Sequence, residues 1–110
     1  VLNQFYIAGT TDWNTVAGYY DKHRDDAEYK CKHVVETLCK MSEGKTFGWF
    51  TSHDALMVIL ARWASNGKIT FQYGTDGWIN FLSGIAVIVH ENGAWETYPV
   101  RNLENGYMNW

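Results

Sequence analysis

Apolar residues recur at helical spacing from Trp13 through Val16, Ala17, Tyr20, Ala27, Cys31, Val34, Val35, Leu38 and Met41, and Gly44 then offers a C-terminal cap. As one helix this stretch would run about 46 Å, longer than the diameter of about 34 Å expected for a globule of this length. A break is therefore expected. Gly18 weakens the run and Asp21 or Asp25 can start a new helix, which divides it into a short helix near 12–20 and a longer one near 24–43. Ahead of it, Leu2 to Ala8 carries Phe5, Tyr6 and Ile7 and stops at Gly9, the pattern of a short strand. Thr51-Ser52-His53-Asp54 sets a hydroxyl three residues before a carboxylate, and the apolar stretch Ala55 to Ala64 ends at Asn66-Gly67. Because Leu56 to Leu60 and Trp63 are apolar nearly all round, this helix is expected to be central and covered on more than one side.

After Lys68 the period changes to two, with turn signals at Gly74-Thr75-Asp76-Gly77 and Asn92-Gly93. The pattern predicts strands at 68–73, 78–82, 85–91 and 94–100. A two-residue turn at Asn92-Gly93 pairs His90 with Trp95, Val89 with Glu96, Ile88 with Thr97 and Val87 with Tyr98. Ile85, Val87, Val89, Tyr98 and Val100 then share an apolar face toward the helices. In the other hairpin, Ile69, Phe71, Tyr73, Trp78 and Leu82 fall on one side, and Thr70, Gln72, Ile79 and Phe81 on the other. Phe81, Ile88, His90, Trp95 and Thr97 are left on an outer face, a polar-fringed surface that a one-layer antiparallel sheet facing water does not require. Two covers are open for it: the chain's own tail, Tyr107 to Trp110, the N-terminal segment or the short first helix as a second layer, or a partner anchored on Trp95 with His90 and Phe81 beside it.

The chain's 110 residues suffice for one domain spanning 1–110. Aromatic content is the outlier: six Trp, seven Tyr and five Phe are more than one small core easily hides. Nine Lys and Arg against twelve Asp and Glu, with no basic stripe, argue against nucleic acid as a partner. No apolar run approaches the roughly 18 residues of a membrane span. Cys31 and Cys39, eight residues apart on one helix, lie roughly 12 Å from each other and cannot form a mutual disulfide. Two free thiols fit the cytoplasm.

Tests for catalytic chemistry come out bland. Gly44-Lys45-Thr46 lacks the earlier glycine and the preceding strand of a phosphate loop, having Cys39 where the glycine belongs. Cys31, His33 and Cys39 point in different directions on a helix and cannot converge on one metal ion. Ser52-His53-Asp54 holds the residue types of a hydrolase triad, but consecutive side chains diverge and capping explains them better. Asp26 with Lys30, Glu28 with Lys32 and Glu36 with Lys40 read as a solvated helix face of ion pairs, with Asp21, Asp25 and Asp26 crowding its start.

The sequence thus predicts an α+β fold: helices packed on one face of a mostly antiparallel sheet, in the order β-α-α-β-β-β-β, with the first helical region broken. No catalytic residue, metal or cofactor is assigned. The expected function is protein interaction, as a stoichiometric inhibitor or immunity-type protein acting by surface occlusion through the aromatic face of Phe81, Ile88, His90, Trp95 and Thr97. The partner is another protein, or a second copy in a homodimer through that face. The alternative is a small enzyme or ligand-binding domain using His53 or His90 with a carboxylate in a helix–sheet pocket.

Overall fold

The computed structural model describes residues 12–73, 77–103 and 108–110. Among the described residues four helices precede a β-hairpin: α1 (Trp13–Ala17), α2 (Tyr19–Lys22), α3 (Arg24–Met41), α4 (Asp54–Ala64), β1 (Gly84–Val89) and β2 (Trp95–Val100). This is an α+β arrangement, and among the described residues its sheet has two antiparallel strands. The strand expected at 2–8 lies outside the described residues.

The long helical region is broken, as its length requires. Asp12 caps α1 by accepting the Asn14 backbone N–H and the Thr15 hydroxyl. Gly18 separates α1 from α2, and His23, at φ −129°, separates α2 from α3. Neither Asp21 nor Asp25 takes the cap position of α3. Along α3 the buried residues Ala27, Cys31, Val34 and Val35 fall at steps of four, three and one, which form a single stripe.

That stripe packs on α4, the central element. Leu56, Ile59 and Leu60 join Tyr19, Tyr20, Ala27, Cys31 and Val34 in one core, with Ile85 of β1 against it. Val58 and Ala61 turn to a second core with Ala17, Phe71, Trp78 and Ile79, against which Met108 and Trp110 pack. A helix covered on both sides has to be apolar nearly all round, which accounts for its composition. Its start departs from expectation: His53 occupies the N-cap position without a side-chain cap bond, so neither Thr51 nor Ser52 caps it. Asp54 instead accepts the Ala55 N–H and the indole N–H of buried Trp78, at 2.9 and 3.0 Å.

The sheet is smaller than expected. Residues 68–73 and 78–82 do not form strands, although among the described residues Gln72 donates its N–H to the Gly77 carbonyl. The physical reason lies in burial: Gly77, Trp78, Ile79 and Asn80 are buried consecutively, which period-two alternation forbids. Trp78 serves as the hub of an aromatic cluster, edge-on to Trp13, Phe71 and Tyr73.

The hairpin forms at Asn92-Gly93, but one residue out of the expected register. His90 donates its N–H to the Ala94 carbonyl and accepts that of Gly93, so the loop holds three residues, with Gly93 at φ +88°. Val89 therefore pairs with Trp95, Ile88 with Glu96, Val87 with Thr97, Ala86 with Tyr98 and Ile85 with Pro99. One step of register moves every β2 side chain to the other face. The expected pairing sets Glu96 beside Val89 on the helix side. The observed pairing releases Glu96 to solvent and brings in Trp95.

Candidate functional site

The site is built from the turn that leads into β1. Asn80 accepts the Ser83 N–H through its carbonyl, closing a four-residue turn with Phe81 and Leu82 at its centre. Leu82 sits at φ +65°, a conformation that favours glycine and disfavours a bulky side chain. Buried neighbours hold the turn. The Asn80 side chain donates to the Leu103 carbonyl and accepts the Phe81 N–H, and the Asn102 amide donates to the Phe81 carbonyl at 2.8 Å. Ser83 donates its hydroxyl to the Trp110 carbonyl and accepts the Asn102 N–H. The result is a rigid base presenting two large apolar side chains to water, Phe81 75% and Leu82 73% exposed.

This turn continues into the outer face of the hairpin. Ile88, Tyr98 and Val100 are exposed there, and Leu103 is exposed just beyond β2. At the far end His90 Nε2 and Glu96 Oε2 meet at 3.0 Å, both half exposed, a polar boundary to an otherwise apolar strip. Of the covers expected from the chain itself, residues 108–110 do not lie on this strip, since Trp110 packs edge-on to Phe71 and donates its N–H to the Trp78 carbonyl within the second core. Tyr107 and the N-terminal segment lie outside the described residues.

Of the five residues singled out from sequence, Phe81, Ile88 and His90 lie along this turn and face. Trp95 and Thr97 do not, because the shifted register turns them toward α4, where Trp95 meets Trp63 with ring centroids 6.1 Å apart. Tyr98 and Val100, placed inward by the expected register, are outward. The period-two pattern places Leu82 on one side of a strand with Ile69, Phe71, Tyr73 and Trp78, and nothing in that pattern flags a leucine in a glycine-favouring turn. A second exposed aromatic group, Phe47, Trp49 and Phe50, occupies the connection between α3 and α4.

Two charged groups tie helices together. Arg62, buried on α4, forks both Asp21 carboxylate oxygens at 2.6 Å through Nη2 and donates Nη1 to the Ile69 carbonyl. Its guanidinium also lies 5.7 Å from the Tyr20 ring centre. The Asp21 charge at the helix start is thus committed within the chain. An open cavity of about 320 Å³ lies beside this pair, lined by residues including Asn14, Asp21, Arg62 and Gln72, and neither His53 nor His90 reaches it. Lys30 and Asp26 pair at 2.8 Å, with the Tyr19 hydroxyl donating to the same carboxylate. The Lys30 bond, then that of Tyr19, lowers the Asp26 pKa below its ordinary value.

Cys31 and Cys39 are free thiols, and burial pushes Cys31 up to about 12. Among the described residues no cluster of His, Cys, Asp and Glu could hold a metal ion, and no helix is long and apolar enough to cross a membrane. Comparison with protein-family models, curated proteins and solved structures finds no match.

Proposed function

We propose that this chain works by binding another protein, through the Phe81–Leu82 turn and the outer hairpin face of Ile88, Tyr98 and Val100. The observation that carries the reading is Leu82, which breaks two rules in one place. A leucine costs free energy at positive φ, and left in water it gains no burial to offset that cost. An interface supplies the missing burial, and a preorganised apolar anchor loses little entropy on docking. Half-exposed His90 and Glu96 suit the polar rim that surrounds such anchors. Within this reading the protein acts by occluding its partner's surface, as an inhibitor or immunity-type protein does. The enzyme alternative has less support, since His90 stands at the hairpin tip with Glu96 and not in a helix–sheet pocket. The test is affinity capture from the source cells with the native chain and the Phe81→Ala, Tyr98→Ala double variant. The reading expects the variant to stay folded with only a small drop in melting temperature and to lose the captured protein.

A further inference from the structure

Among the described residues the hairpin has a second unpartnered feature, its edges. Because His90 donates to the Ala94 carbonyl, the β1 residues that bond to β2 are Gly84, Ala86 and Ile88 with their partners Val100, Tyr98 and Glu96. The N–H and C=O groups of Ile85, Val87 and Val89 therefore point away from β2. Among the described residues no hydrogen bond reaches them.

The two edges differ in chemistry. On β2, Pro99 has no N–H to offer and Glu96 adds a charge, two devices that discourage strand addition. On β1, the sequence Gly-Ile-Ala-Val-Ile-Val carries no charge and no proline. It is a template that lacks protection.

We infer that a second copy of this chain occupies the β1 edge, in an antiparallel pairing centred on Val87. The geometry closes on a two-fold axis: Val87 faces the partner's Val87, and Ile85 and Val89 face each other across it, so all three outward pairs become hydrogen-bonded pairs. An uncharged strand meets its own copy without like-charge repulsion, whereas two β2 edges would each bring a glutamate and lack a donor. The outcome is a continuous four-stranded sheet whose two outer apolar faces adjoin. A six-residue edge supplies only part of the roughly 1,200 Å² that a stable interface buries. Micromolar self-association is expected, not an obligate dimer. This inference concerns the edge and stands independently of the binding role given to the outer face.

Sedimentation and amide hydrogen exchange of the intact chain, across a dilution series through the micromolar range, test it. The sedimenting mass should double toward high concentration. Over the same range the amides of Ile85, Val87 and Val89 should slow, while those of Ala86 and Ile88, already bonded to β2, stay as they are. Val87→Pro removes an outward donor while breaking no bond to β2, and should remain monomeric throughout. A mass that stays that of one chain would overturn the inference. So would outward amides equally protected at every concentration, the signature of an occupant within the same chain, or a folded Val87→Pro that still dimerises. If the variant fails to fold, the exchange series on the native chain decides alone.

Discussion

Trp95 of β2 lies against Trp63 of α4, ring planes inclined at 57°, and this contact pins the hairpin to the central helix. Trp95→Ala should therefore lower stability by roughly 2 kcal/mol, less than the cost of a fully buried tryptophan because its site is only partly buried. Tyr98→Ala, on the opposite face, should cost well under half as much. Chemical denaturation of the two variants side by side checks the pair.

Gly93 sets the register that makes this contact. At φ +88° an added Cβ meets no neighbour, so the effect of Gly93→Ala is purely one of backbone conformation. A loss of about 1 kcal/mol is expected, with more hairpin fraying in amide exchange and little change in the helices.

How far the sequence discloses this arrangement depends on which forces decide each element. α3 and α4 are legible because a long 3.6-residue stripe has one low-energy reading, and the need for a break ahead of α3 follows from length, with Gly18 marking one of its two places. The Asn92-Gly93 turn is legible too, but loop length is not, since the dipeptide suits a two-residue turn and a three-residue loop alike. The tie is broken at a distance, by Trp63 offering a surface to Trp95 and by the cost of turning Glu96 toward a helix. Residues 68–82 mislead for a related reason. Alternating Ile69, Phe71 and Tyr73 look like a strand, yet buried Trp78 needs an acceptor for its indole N–H and finds it in Asp54 on α4. Of the residues proposed to bind, Ile88 follows from the outer face of the hairpin and Phe81 is reached only through a strand that does not form, whereas Leu82 depends on a φ value that no pattern of residue types encodes.

Cys31 should be chemically silent in the native protein. Its thiol, held up near 12 by burial and with the Glu28 carboxylate nearby, yields almost no thiolate at neutral pH. A thiol reagent should modify Cys31 only as fast as the chain unfolds, and both cysteines at once in denaturant. Rapid native labelling of Cys31 would contradict the packing of α3 on α4.

The Tyr19–Asp26–Lys30 group ties α2 to α3 and predicts a sign for acid sensitivity. Asp26 titrates below its ordinary value in the folded chain, because the Lys30 ammonium and then the Tyr19 hydroxyl hold the carboxylate charged. The folded state therefore binds fewer protons there than the unfolded state. Its contribution is fully present above the ordinary carboxylate pKa and is lost as pH falls through the lowered one. Asp26→Asn should be less stable at neutral pH and should lose less stability than the native chain on acidification, as melting curves through that range would record.

Leu82→Gly gives the most direct test of the binding role, because it separates the interests of folding from those of function. The substitution suits φ +65° and removes an exposed leucine, so the variant should melt at the same temperature as the native chain or slightly higher. In quantitative capture from the source cells it should nevertheless lose the protein that the native chain retains. A variant that is equally stable and holds the same partner with undiminished recovery would contradict the assignment of this turn as the anchor.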